Sequence, residues 1–325
     1  MALPGNGCPE IRLQQSRPVI PLCTAAAPDP RLQGGAISIG NFDGVHRGHA
    51  RLLERLCELA AELGGPAVAV TFDPPPAALL RPGAQPPSLT TLERREELLR
   101  GCGVDGVVVI ETTRHLLGQA PEAFFQSVVV DALGARGIVE GPNFFFGRDR
   151  AGNPHLLERL CDESGLICRI VRPTTIQGLM ISSTRVREAI ASGDVAAAAG
   201  MLTRPYRITG LVSTGAGRGR GLGFPTANLT DIGTLIPGPG VYACQAWIGG
   251  RALVAACHIG PNPTFADSQN KVEVHVLDFA EDLYDRRIEV DFVKRIRSVR
   301  TFDSGTALRL QVEEDLCSVR AAFTP

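Results

Sequence analysis

Gly40-Asn41-Phe42-Asp43-Gly44-Val45-His46-Arg47-Gly48-His49 lies between a short apolar run, Ala36–Ile39, and a stretch with helical periodicity. The apolar run reads as a buried strand. The helix reads as His49–Leu63, with Leu52, Leu56, Leu59 and Leu63 on one face and Gly64–Gly65 as its stop. A turn that joins a strand to a helix places His46 and His49 at the carboxyl edge of a parallel sheet, where ligands of α/β proteins bind. The helix start contributes unpaired N–H groups and the positive end of its dipole, which suits a nucleotide triphosphate. Gly44 and Gly48 let the backbone approach phosphates closely. Two imidazoles there can hydrogen-bond the charge that develops on a leaving pyrophosphate. A lone histidine at a helix start would read as structural. A pair among glycines at such a turn points to phosphate chemistry.

The same alternation continues outward. Ala67–Phe72, Gly106–Ile110, Gly137–Glu140 and Ile167–Val171 are further strand-like runs, and residues 92–100, 121–133 and 154–164 carry helical patterns between them. Alternating strand and helix predicts a Rossmann-like α/β domain with a parallel sheet covered by helices on both faces. After about Arg204 the texture changes. Tyr206–Val212, Val241–Ile248, Ala252–Ile259, Val272–Phe279 and Arg287–Val293 read as strands between Gly/Pro turns, and one helix, roughly Ser304–Ala322, closes the chain. That pattern predicts a small β-barrel with a C-terminal helix. The expected division is a loose, Pro/Gly/Ala-rich extension over 1–33, an α/β domain over 34–202 ending in the helical run Arg185–Gly200, and a barrel domain over 203–325.

Composition narrows the function classes. The 325 residues suffice for two domains, and a net charge of −1 gives no global attraction to nucleic acid or an acidic membrane. Neither nucleic acid nor a membrane is therefore an expected partner; a homo-oligomer is compatible with the sequence. Nine cysteines, an odd count with no Cys-x-x-Cys, argue against a disulfide framework or a zinc site and suit the reducing cytoplasm. No apolar run approaches the ~20 residues of a membrane span, and Val19–Ala27 is short and broken by Pro21.

Further segments carry chemistry of their own. In Ile181-Ser182-Ser183-Thr184-Arg185-Val186-Arg187 the three hydroxyls can cap a helix or meet phosphate oxygens. Arg187 follows one turn in, where a guanidinium can bind a triphosphate. Asn143, before the aromatic run Phe144–Phe146, is a turn residue or a ligand donor. The stretch from Gly215 to Asn228 is a glycine-rich flap holding Gly215, Gly217, Arg218, Arg220 and Gly223, then Phe224-Pro225-Thr226-Ala227-Asn228. Its glycines let N–H groups face phosphates. Thr226 and Asn228 share a face if the chain is extended, and offer hard oxygen donors of the kind Mg²⁺ accepts. Glu273 alternates with Val272 and Val274 in a strand. It is either a solvent-facing carboxylate or, in a kinase that acts on an alcohol, the group that accepts the hydroxyl proton. His275 shares its face.

These segments resemble two known families in series. His-x-Gly-His recurs among nucleotidyltransferases, and the longer Gly-x-Phe-Asp-Gly-Val-His-x-Gly-His resembles the FMN adenylyltransferase module of bacterial-type FAD synthetases. Thr71-Phe-Asp-Pro-Pro-Pro76, Gly141-Pro-Asn-Phe-Phe-Phe-Gly147 and the Ile181–Arg187 segment follow in that family's order, with Pro75 where a histidine is usual. Arg204-Pro-Tyr206, the flap with Gly-Phe-Pro-Thr-Ala-Asn-Leu229, Pro239–Tyr242, Ile259–Phe265 and Val272–Phe279 are similar to riboflavin kinase. His258, Asn262 and Val299 are departures from its pattern. The resemblance implies a six-stranded kinase barrel and an enzyme of FAD biosynthesis. Such an enzyme phosphorylates riboflavin to FMN and adenylylates FMN to FAD, using ATP and Mg²⁺. It further implies His46, His49 and Glu273 as catalytic groups and Thr226 and Asn228 at the metal. Implied at the nucleotide are Gly40, Phe42, Asp43, Gly44, Gly48, Asn143, Ser183, Thr184, Arg187, Gly215, Gly217, Arg218, Arg220, Gly223 and Pro225. The competing readings are a single-activity enzyme with one decayed module, and a non-catalytic flavin or nucleotide sensor. A tRNA ligase is opposed by the lack of a Lys-Met-Ser-Lys string.

Overall fold

A computed structural model of the chain describes residues 23–24, 28–214, 223–262 and 267–324. The chain divides into two compact units. One runs to Pro86 and resumes over Leu92–Met180; the other comprises Pro87–Thr91 and Ile181–Pro325.

The first unit is built on a six-stranded parallel sheet in the order β1-β4-β3-β2-β5-β6. Its strands are β1 (Cys23–Thr24), β2 (Ala36–Ile39), β3 (Ala67–Asp73), β4 (Gly106–Glu111), β5 (Gly137–Glu140) and β6 (Ile167–Ile170). Alternation along each strand divides the core between two faces. Ile37, Ile39, Val68, Val70, Val108, Ile110 and Ile138 pack with Phe124, Phe125 and Leu157 on one side. The small residues Ala36, Ala67 and Ala69 admit α1 (Arg47–Leu63) and α3 (Leu92–Gly101) on the other, through Leu53, Leu56, Leu59 and Leu99. Helices cover both faces, as the alternation predicts; this unit also carries α2 (Pro76–Leu80), α4 (Arg114–Gly118), α6 (Pro154–Ser164) and a small antiparallel pair, β7 (Thr175–Ile176) and β8 (Leu179–Met180). The buried stripe of α1 is centred on Leu53, Leu56, Leu59 and Ala60, while Leu52 and Leu63 flank it half-buried. Within the segment expected to be a loose extension, Cys23–Thr24 pairs with β4 and Leu32 is buried.

Three elements depart from the expectation. The helix expected over 121–133 is one α-turn, α5 (Pro121–Phe124), continuing as a π-helix over Phe125–Ala132. The wider turn sends the adjacent pairs Phe124–Phe125 and Val128–Val129 into the core. The helical run Arg185–Gly200 is two helices, α7 (Ser183–Ser192) and α8 (Val195–Leu202). Gly193 ends α7 at φ 83°, and a Cβ there would stand 2.7 Å from the Tyr242 hydroxyl, so the break needs glycine. Asp194 then caps α8, accepting the Ala197 N–H at 2.9 Å. The third is a strand the hydrophobic pattern does not mark, β10 (Ala227–Thr230).

In the second unit, β10 completes a closed antiparallel barrel in the order β10-β13-β12-β11-β14-β9. The others are β9 (Tyr206–Ser213), β11 (Gly240–Ile248), β12 (Arg251–Asn262), β13 (Asp267–Val276) and β14 (Arg287–Arg297). Gly249 and Gly250, both at positive φ, form the two-residue turn between β11 and β12. Ile208, Val212, Ala255, Cys257, Val274, Ile288 and Val290 are buried along the strands. A C-terminal helix, α9 (Gly305–Ala321), capped by Ser304, lays Val319 and Leu316 against Ala243 and Ala256. Closure pairs every strand edge, so this unit needs no second sheet.

Candidate active sites

In the first unit β2 ends at Ile39, and the chain turns through Gly40–His46 into α1. The turn is tight: Phe42 at φ 45° and Val45 at φ 39° both occupy the left-handed region, costly for a side chain with a Cβ and most of all for a β-branched one. Gly44 occupies it at φ 82°, where glycine carries no such cost. Packing holds the conformation, because Phe42 is 1 % exposed and seats its ring edge-on to His49, centroids 5.3 Å apart. The end of β2 is also pinned by Glu140, a buried carboxyl that accepts the Ile39 N–H at 2.6 Å; burial pushes its pKa well up.

His46 caps α1. Its Nδ1 accepts the His49 N–H at 3.3 Å, so a neutral His46 carries its proton on Nε2. The two imidazoles stack with centroids 3.7 Å apart and planes 14° from parallel. Burial lowers the His46 pKa to about 4, against the pull of Asp43, and lowers that of His49 well below its ordinary value, helped by His46 and Arg95. A neutral pair can offer N–H donors. Arg95, from α3, is 4 % exposed. Its guanidinium reaches Thr71 Oγ1 at 3.3 Å and the Asp43 carboxylate at 3.9 Å, and Thr71 Oγ1 in turn meets the Asn41 carbonyl. Sequence pattern assigns Arg95 no role and marks Thr71 only as the start of the Thr71–Pro76 segment. The signal was available: Leu92, Arg95 and Leu99 share one helical face, the face that Leu99 buries. Asn143 lies exposed on the loop after β5, the neighbour of β2, with its amide 3.5 Å from Met180 Sδ.

Ser183, Thr184 and Arg187 belong to the second unit. Ser182 is the cap of α7, its Oγ accepting the Arg185 N–H, so Ser183 and Thr184 occupy the first turn rather than the cap. Arg187 donates through Nε to the Pro87 carbonyl at 2.8 Å.

Gly215, Gly217, Arg218 and Arg220 lie outside the described residues. The segment resumes at Gly223, φ 90°, and passes Phe224, Pro225 and Thr226 into β10. Asn228 is in the strand, so Thr226 and Asn228 stand two apart on extended chain, as their spacing requires for a common face. Asn228 sits directly opposite Glu273 in the β10–β13 register, and Glu273 directly opposite His258 in the β12–β13 register. His275, one face-repeat along, holds the Pro225 carbonyl through Nδ1 at 2.8 Å and meets the Phe224 ring edge-on. Among the described residues no cluster of His, Cys, Asp or Glu forms a metal cage. The arrangement can present a carboxylate to a hydroxyl beside two neutral oxygen donors.

Residues 29–185 match the family model for FAD synthetase, and residues 202–323 match that for riboflavin kinase. The bifunctional riboflavin kinase/FMN adenylyltransferase of Pseudomonas fluorescens is 38% identical over 91% of this chain and 95% of its own. That of Escherichia coli K12 is 36% identical over 90% and 93%, and that of Bacillus subtilis 33% over 86% and 89%. This chain belongs to the bifunctional riboflavin kinase/FMN adenylyltransferase family. Its N-terminal part is the FMN adenylyltransferase and its C-terminal part the riboflavin kinase, which together make FAD; with both present, the single-activity and sensor readings are not favoured. A crystal structure from Streptococcus pneumoniae, named a macrolide-efflux protein, shares the architecture. Its TM-score is 0.83 at 30% identity, covering 93% of this chain and 98% of that one. No described helix here is long and apolar enough to cross a membrane.

Proposed function

We propose that the two reactions are carried by the residues singled out above. In the kinase, Glu273 orients the ribityl 5′-hydroxyl of riboflavin and accepts its proton as the oxygen attacks the γ-phosphorus of ATP; ADP leaves. In the adenylyltransferase, a phosphate oxygen of FMN attacks the α-phosphorus of ATP and pyrophosphate leaves. His46 and His49 donate to the departing charge, and Ser183, Thr184 and Arg187 bind phosphate oxygens. Gly40, Phe42, Asp43, Gly44, Gly48 and Asn143 shape the first nucleotide site; the Gly215–Pro225 flap covers the second.

Mg²⁺ is assigned to the kinase with ATP. The donor chemistry suits it: a hydroxyl and an amide oxygen, Thr226 and Asn228, without a carboxylate cage, fit an ion that brings phosphates and water as its other ligands. The ion supplies neutralising charge on the phosphates. The free thiols of Cys57, Cys102, Cys161, Cys168, Cys244, Cys257 and Cys317 favour a cytoplasmic enzyme.

The observation that carries the kinase assignment is the direct cross-strand pairing of Glu273 with Asn228. It sets a carboxylate beside an amide two residues past Thr226, where a solvent-facing strand carboxylate would need neither neighbour. The test is Glu273→Gln in the full chain. FMN formation in a single turnover falls by about 10²–10⁴-fold, with riboflavin binding nearly unchanged and FAD formation from added FMN intact. Wild-type turnover in this variant would exclude Glu273 as the base.

A further inference from the structure

The β10–β13–β12 register sets three polar side chains in one row on one barrel face: Asn228, Glu273 and His258. Glu273 is the middle member. His258 Nδ1 stands 3.9 Å from Glu273 Oε2, and the two side chains are similarly sheltered, 24% and 21% exposed. Among the described residues this nitrogen is buried and has no hydrogen-bond partner. Such an atom is costly to leave unsatisfied, and the Glu273 carboxylate stands beyond the ~2.7–3.2 Å of an N–H···O bond.

The surroundings define what the ring can do. Burial lowers the His258 pKa, opposed by Glu273 and Asp315 and aided by Arg297. A neutral ring has one N–H to give, and its other nitrogen gives nothing to a carboxylate. Arg297, which pairs with Val241 further along the same row, is held by Asp315 of α9 through Nε at 2.9 and 3.0 Å and through Nη2 at 2.8 Å. Its charge is thereby matched by a buried carboxylate rather than drawn to Glu273.

We propose that His258 is a positioning residue of the kinase: with riboflavin bound, its Nδ1–H closes on Glu273 Oε2 and fixes the carboxylate in the orientation that receives the ribityl proton. The proposal rests on the reading of Glu273 as the base. An asparagine side chain at this position can also donate one N–H to a carboxylate, and only the donor is required. Long hydrogen bonds that tighten on substrate binding are a regular feature of sites seen without ligand.

The experiment uses the full chain with riboflavin and Mg-ATP, reading single-turnover FMN formation and the KM for riboflavin. The variants are His258→Phe, His258→Ala, His258→Asn, Glu273→Gln and the His258→Phe/Glu273→Gln double. Trp247 of β11, the single tryptophan, reports whether the barrel is folded. His258→Phe lowers turnover by about 10- to 100-fold, the loss of one hydrogen bond to a charged group, with KM nearly unchanged. His258→Asn restores most of it. In the Glu273→Gln background His258→Phe has almost no further effect, because both act on one step. If Trp247 emission shows that the Phe variant unfolds the barrel, His258→Ala replaces it in the same comparison. Turnover at the wild-type level in His258→Phe, beside an impaired Glu273→Gln, overturns the pairing and spares the base. So does an equal loss from His258→Phe in both backgrounds, the signature of a merely structural role. Wild-type turnover in Glu273→Gln removes the base itself, and the pairing with it.

Discussion

His46 and His49 stack face to face, 3.7 Å between centroids, while Nδ1 of the first accepts the backbone N–H of the second. One residue caps the helix and the next turn supplies its neighbour, so a single strand-to-helix turn delivers two neutral N–H donors to the same place. If they receive the charge of departing pyrophosphate, His49→Ala lowers FAD formation from FMN by about 10²–10³-fold, the usual loss for one such donor. FMN formation from riboflavin continues, so FMN accumulates in a coupled time course. FAD production at the wild-type rate would remove His49 from the site.

The same burial makes the turn sensitive to acid. The His46 pKa is lowered from 6.5 to about 4 in the folded chain. Between those values the unfolded chain binds the proton that the folded chain refuses, so stability falls as pH drops through this window and is fully present above it. His49, lowered too, adds to the trend. The His46 contribution is on the order of 3 kcal/mol across the window. Thermal melts from pH 4 to 7 should therefore be flatter for His46→Gln than for the parent. Parallel curves would show that the folded His46 titrates normally.

Thr226 and Asn228 enter β10 two residues apart, beside Glu273. Alanine at either position is expected to raise the Mg²⁺ concentration needed for half-maximal FMN formation, or to abolish activity. FAD formation from FMN keeps its own Mg²⁺ dependence. Superimposable kinase titration curves for parent and variants would count against these two as metal donors.

The helix α8 buries Val195, Ala198, Met201 and Leu202 and lies against β9 and β14 of the barrel. A fragment of residues 181–325 should therefore fold and convert riboflavin to FMN without making FAD. One of residues 203–325 loses that cover and should be less stable by about 3 kcal/mol or more, since each buried aliphatic side chain contributes about 1.5–3 kcal/mol. Chemical denaturation of the two fragments compares them. Equal midpoints would place the working boundary after α8.

Local pattern determined much of this protein. The strands Ala36–Ile39 and Gly137–Glu140 follow from short apolar runs and the helix at 154–164 from its 3.6 period and its cap, because those signals act between near neighbours in sequence. Glycines and paired histidines mark the phosphate-binding turn for the same reason. Tertiary structure alone decided the rest. β10 carries too few apolar residues to announce itself, and becomes a strand because β9 and β13 offer open edges on either side. Arg95 shares the Leu92–Leu99 face in sequence, but its partners Thr71 and Asp43 are decided by how that face packs. Glu273 and His258 are fifteen residues apart, and neither spacing nor composition brings them together. Their meeting is a consequence of register, which is set by hydrogen bonds along whole strands and by closure of the barrel, quantities that no single segment contains.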